Sequence, residues 1–183
     1  ETTLEEKTEE AAGGDEIVII TEEEDPQEER DNQLKQILDQ MTLEEKVGQM
    51  FIARCPQENG EQTAADYCLG GYLLFARDFE GKSSQEAAET IASYQKAASY
   101  PMLIGVDEEG GTVNRISRFP QYRDQPFASP QELYAQGGLE LVRQDTLEKS
   151  QLLKSLGINL NFAPVCDVSE NPKSFMYSRT LGK

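Results

Sequence analysis

Histidine is missing from this 183-residue sequence. Its absence excludes a Ser-His-Asp triad and a histidine-ligated metal centre built from these residues alone. Cysteine is scarce: Cys55, Cys68 and Cys166 form an odd set with no C-x-x-C spacing, which argues against a zinc site or a disulfide framework. No apolar run comes near 18 residues, so the sequence offers no membrane-spanning helix. Positive charge is in deficit as well. The formal net charge is −17, which disfavours nucleic acid phosphates and anionic lipid as partners. No G-x-G-x-x-G turn follows a strand-like segment, so a dinucleotide site is not expected.

The charge is concentrated at the amino end. Residues 1–31 carry 14 acidic side chains against Lys7 and Arg30, leaving −12, whereas residues 32–183 carry only −5. With few large apolar residues and Gly13-Gly14 in its middle, residues 1–33 read as an acidic, disordered spacer. A short patch, Ile17 to Ile20, is the one place there where a strand could pair.

Beyond the spacer the pattern becomes periodic. Leu34, Ile37, Leu38 and Met41 fall on one face of a helix. Thr42 with Glu45, and Ser83 with Glu86, have the spacing of capping boxes. Ser129-Pro130-Gln131-Glu132 adds a proline at the first helical position, and a longer helix after Gly137-Gly138 is expected to stop at Gly157. Four apolar segments alternate with these helices: residues 50–53, Gly70–Ala76, Pro101–Asp107 and Ile158–Val165. Parallel strands covered by helices follow, in either a doubly wound sheet or half of an eight-stranded barrel. Without a nucleotide-type turn, the barrel is favoured.

In parallel α/β folds the working residues sit at the carboxyl ends of strands. Those ends read Arg54, then Arg77-Asp78, then Asp107-Glu108-Glu109, then Cys166-Asp167. Carboxylates accept from paired hydroxyls and an arginine fork donates to oxygens, so such a rim suits a neutral polyhydroxylated ligand better than a phosphate. Structural roles compete at every position. A lone aspartate at a strand end is commonly a cap, Arg54 and Arg77 serve equally well in salt bridges across the rim, and Cys166 suits packing as a small apolar residue. The block D-E-E-G-G-T-V-N-R, Asp107 to Arg115, stands out because paired glycines permit a close turn directly after the acids.

Five blocks in order, "MTLEEKVGQMF", "GGYLLF", "PMLIGVDEEGGTVNRI", "LGINLNFAPVCDV" and "SRTLG", resemble the N-terminal barrel of glycoside hydrolase family 3, in its β-N-acetylglucosaminidase-like branch. The resemblance covers residues 34–183. It implies a TIM-like (β/α)8 barrel, present here as about its first four β/α units, in a retaining glycosidase that removes terminal N-acetylglucosamine without metal or organic cofactor. It further implies that Asp107 and Arg179 hold the sugar, with Arg115 close to it, and that Glu108, Glu109 and Asp167 shape loops and orient those groups. The nucleophile and a His–Asp acid/base pair belong, by the same resemblance, to sequence following the "SRTLG" block. The 183 residues alone are expected to be inactive, and to need the remainder of the barrel or a second chain to cover two sheet edges and an inner face. An extracellular or cell-surface location is expected, with a cytoplasmic one as the alternative. A non-catalytic carbohydrate-binding or scaffold half-barrel is the competing reading.

Overall fold

The computed structural model describes residues 25–181, and residues 1–24 of the acidic segment, with its Ile17–Ile20 patch, lie outside them. The chain divides into two units, residues 1–40 and 41–183, described separately.

In the first unit, helix α1 spans Pro26–Gln40 and so starts eight residues ahead of the expected boundary at 33/34. Its origin is chemical. Asp25 accepts a hydrogen bond from the Gln27 backbone at 2.9 Å, and proline occupies the first helical position, where no N–H is needed. Leu34, Ile37 and Leu38 share the helix as their spacing predicts, yet each is about half exposed, while Met41 falls beyond its end and is buried.

The second unit opens with α2, Leu43–Gln49, followed by strand β1, Ile52–Arg54. A connection carrying helix α3, Gly60–Asp66, leads to β2, Gly71–Leu74. Helix α4, Ser84–Ala97, leads to β3, Leu103–Val106, and helix α5, Pro130–Ser155, to β4, Leu160–Asn161. All three predicted capping boxes form, at Thr42, Ser83 and Ser129. α5 breaks at Gly137-Gly138, where the backbone leaves helical angles before the longer segment resumes.

The strands pair in sequence order, β1-β2-β3-β4, and every pairing is parallel. Register puts Ala53, Tyr72 and Ile104 side by side, with Leu74 beside Val106 one step further along the same face. These side chains pack with Ile91 of α4 and with Leu153 and Leu156, forming the core between sheet and helices. Each fully buried aliphatic or aromatic side chain there contributes about 1.5–3 kcal/mol. The opposite face is open, as expected of a barrel with about four of its β/α units: Ile52 and Leu103, adjacent across the sheet with Gly71 between them, are 38% and 47% exposed. This is the half-barrel geometry, with the helix-facing side finished and the inner side open.

β4 is much shorter than the run Ile158–Val165 expected from hydropathy. The reason lies in two asparagines. Asn159 accepts from the Ile104 N–H at 2.8 Å and donates to the Met102 carbonyl at 3.0 Å, while Asn161 accepts from the Glu108 N–H at 3.0 Å and donates to its carbonyl at 3.2 Å. Side-chain amides thus supplement the backbone bonds, Asn159 N–H to the Ile104 carbonyl at 3.2 Å and Phe162 N–H to the Val106 carbonyl at 2.9 Å, at both ends of the pairing. Asn159→Ala would leave the Ile104 N–H of β3 without its partner and the Met102 carbonyl with Gln95 as its remaining donor, and a loss of about 1–2 kcal/mol is expected in urea denaturation.

Candidate functional site

The turn after β3 distributes its three carboxylates to three destinations. Asp107 stays at the rim, three-quarters buried, with its Oδ2 3.4 Å from Nη2 of Arg115. Glu108 turns inward and is fully buried. Its Oε2 accepts from the backbone N–H groups of Arg115 (2.7 Å) and Ile116 (2.8 Å), and its Oε1 accepts from Ser117 N–H (3.1 Å) and hydroxyl (2.5 Å). Glu109 reaches across to Arg179, which donates from Nε at 2.9 Å and from Nη2 at 2.5 Å in a two-pronged ion pair.

Between the acids and Arg115 the chain must reverse sharply. Gly110 and Gly111 both adopt positive φ, +100° and +64°. A β-carbon on Gly110 would lie 2.2 Å from the Ala128 carbonyl oxygen, so only glycine fits. The Gly111 N–H donates to the Phe127 carbonyl at 2.8 Å, and Ser117 Oγ accepts from the Phe127 N–H at 3.1 Å. Glu108 therefore organises the loop that follows it and, through Ser117, the segment around Phe127.

That segment is pinned to α5 from outside. Arg123 forms a two-pronged pair with Glu148 at 2.8 and 3.2 Å, and its guanidinium carbon lies 4.3 Å from the centre of the Phe127 ring. The hydrogen bond from Arg123 holds the Glu148 carboxyl below its ordinary value of 4.5.

At the neighbouring strand ends, Phe75 lies beneath two cations, with Arg54 4.8 Å and Arg115 5.6 Å from its ring centre. Arg77 donates to the Cys55 carbonyl at 2.6 Å, and Asp78 accepts from the Phe75 N–H at 2.7 Å. The second strand end is thus a backbone-tying turn rather than a ligand site. Cys166, expected in packing, is exposed, because β4 stops short of it; all three cysteines are free. Arg179 ends a 3₁₀ turn, Tyr177–Arg179, that follows β4. Its guanidinium is held above the usual arginine range by the Glu109 hydrogen bonds first, with the charges of Asp107 and Asp167 acting in the same direction. The three predicted site residues are therefore gathered around the turn after β3: Asp107 pairs with Arg115, and Arg179 pairs with Glu109, two residues further along the same turn. Among the described residues no group of acids or cysteines is arranged to hold a metal ion.

Sequence reasoning missed the ring of Phe75 and the buried pair Asp145–Lys149 on α5. The latter had a signal, since 145, 149 and 153 follow at four-residue steps and place two charges in line with the buried Leu153.

A parallel half-barrel with acids and arginines at the carboxyl ends of its strands defines the class: the first β/α units of a TIM-like barrel with a polar rim. Residues 42–183 match the glycosyl hydrolase family 3 N terminal domain, and the chain belongs to that family. It is 34% identical over 117 residues to the beta-hexosaminidase of Nitrosomonas eutropha, covering 62% of this chain and 32% of that protein. It is 33% identical over 111 residues to beta-hexosaminidase A of Pseudoalteromonas piscicida, covering 59% and 19%. The chain thus spans about a third or less of these curated relatives. Among solved structures, the family 3 beta-N-acetylglucosaminidase from Paenibacillus sp. superposes with a TM-score of 0.63 at 28% identity, over 75% of this chain and 26% of that one. A family 3 glycosyl hydrolase from Mycobacterium smegmatis shares the fold, with a TM-score of 0.65 at 22% identity over 79% and 43%.

Glu108→Gln would set an amide donor against two backbone donors, so a loss of about 3 kcal/mol is expected in thermal or urea unfolding. A depressed carboxyl pKa stabilises the fold above the ordinary value and loses that contribution as pH falls through the lowered one. Protection factors of the amides in residues 118–127, exchange rates corrected for the intrinsic rate at each pH, are accordingly expected to fall on acidification below pH 4.5, and Glu148→Gln to remove that pH response.

Proposed function

We propose that this chain is the sugar-binding half of a retaining β-N-acetylhexosaminidase that removes terminal N-acetylglucosamine. The observation that carries the reading is the clustering of Asp107, Arg115 and, through Glu109, Arg179 around the turn after β3 of a family 3 half-barrel. Two curated relatives bearing the name beta-hexosaminidase, and a 28%-identical structure described as a beta-N-acetylglucosaminidase, support the substrate class.

Each residue has a defined part. The Asp107 carboxylate takes hydrogen bonds from sugar hydroxyls, while Arg115 balances its charge from beside it. Arg179 donates to sugar oxygens. Charge-assisted bonds of this kind favour a ligand dense in hydroxyls without demanding charge on it. Retaining hydrolysis also needs a nucleophile and an acid/base flanking the same glycosidic bond. We assign both to sequence outside these 183 residues, which contain no histidine, and expect the 183 residues alone to be inactive.

The remainder of the barrel is the partner this arrangement calls for. β1 and β4 each have an unpaired edge among the described residues. Beside β1 lies an apolar groove of about 580 Å³ lined by Leu43, Val47, Phe51, Tyr67 and Leu69. Strand edges and apolar grooves of this size are ordinarily covered in a folded enzyme.

In the natural gene product, Asp107→Ala and Arg179→Ala are each expected to weaken N-acetylglucosamine binding about 10- to 100-fold in calorimetry, as for lost charge-assisted hydrogen bonds. Hydrolysis of 4-nitrophenyl N-acetyl-β-D-glucosaminide should fall in parallel. Unchanged affinity in both variants would sink the reading.

A further inference from the structure

Arg179 can meet a ligand with only part of its guanidinium. Nε and one Nη2 hydrogen are committed to Glu109. Nη1 has a single weak acceptor, the Met176 sulfur at 3.5 Å. The donors left over lie on the edge shared by Nη1 and Nη2, and that edge can serve two neighbouring oxygens at once. Which way it faces is decided by Glu109.

Glu109 is itself unusually fixed. Its side chain is 5% exposed, and its N–H donates to the Val113 carbonyl at 3.0 Å. Its carbonyl accepts from Lys149 Nζ at 3.2 Å. Lys149 is buried on α5, 3.2 Å from the equally buried Asp145, with its Nζ 5.0 Å from the centre of the Phe127 ring. A buried ion pair is a poor source of stability compared with apolar packing, because both charges lose their hydration. Here its cation is applied to one carbonyl, that of the residue gripping Arg179.

We propose that Glu109 is a positioning residue for Arg179, held in place by the Asp145–Lys149 pair of α5, and that it aims the Nη1–Nη2 edge at two neighbouring oxygens of the bound sugar. The inference rests on the reading of Arg179 as a sugar ligand. Glu109 does not touch the sugar; its effect runs through the guanidinium. α5 thereby takes part in binding from the far side of the turn.

The test uses the natural gene product, N-acetylglucosamine as probe and calorimetric affinity as readout, with melting temperature recorded for each variant. Glu109→Gln is expected to bind about tenfold more weakly or worse, as a charge-assisted pair is reduced to a neutral contact. Exogenous guanidinium should restore affinity to Arg179→Ala in a saturable manner, because the Glu109 carboxylate offers it a seat. The double variant Arg179→Ala/Glu109→Gln should show no such rescue. Lys149→Met combined with Asp145→Leu, which removes both buried charges together, should weaken binding while leaving the melting temperature near that of the parent.

Wild-type affinity in Glu109→Gln, or rescue by guanidinium that does not need Glu109, would overturn the positioning role. Absence of rescue in Arg179→Ala would overturn it too, and decides the matter if Glu109→Gln fails to fold. Wild-type affinity in Arg179→Ala would instead remove the sugar-binding reading of Arg179 on which the inference stands.

Discussion

A single buried carboxylate holds the rim together. Glu108 has no contact with solvent, and its two oxygens take up the N–H groups of three consecutive residues and one hydroxyl. Three peptide donors pointing at one anion make a small concave nest, and the charge that fills it fixes the backbone around it. Its own main chain is clasped by Asn161, so strand β4, the turn after β3 and the returning loop meet at one residue. Asp107 and Glu109 inherit their directions from that arrangement. Each lies one residue from a fixed point, one aimed at Arg115 and the other at Arg179.

Much of this organisation could be read from the residues. Capping boxes at Thr42, Ser83 and Ser129 were legible because they depend on three-residue spacing and local chemistry alone. The parallel order of strands followed from apolar runs alternating with capped helices. The pair of glycines after the acids announced its turn, since positive φ and close backbone approach leave few other choices. What stayed hidden was decided at a distance. No local pattern says that the side chains of Asn159 and Asn161 will bond to main-chain groups of and beside β3, because those partners lie more than 50 residues away. Hydropathy therefore overextended β4. The start of α1 was missed although Asp25-Pro26 carries a clear capping signature; acidic composition masked it.

The site divides along the same line. Asp107, Arg115 and Arg179 could be named from motif positions, and the fold ties all three to the turn after β3, Arg179 through Glu109. Motif positions did not reveal what orients them. Phe75 lies under Arg54 and Arg115 through ring contacts that leave no trace in spacing, and Lys149 acts on a main-chain carbonyl 40 residues upstream. Family membership fixes the fold and the kind of rim. The particular aim of each guanidinium is a property of tertiary contacts.

The asparagines of β4 carry one further consequence. A strand paired through backbone amides alone can slide by two residues and recover the same hydrogen bonds, because peptide groups repeat identically. β4 cannot, since a slide of two would bring one asparagine to the other's seat and leave the second seat empty. Its alignment is therefore set by sequence rather than by periodic chemistry. Whatever strand adds to its open edge meets a template whose own position against β3 is already settled.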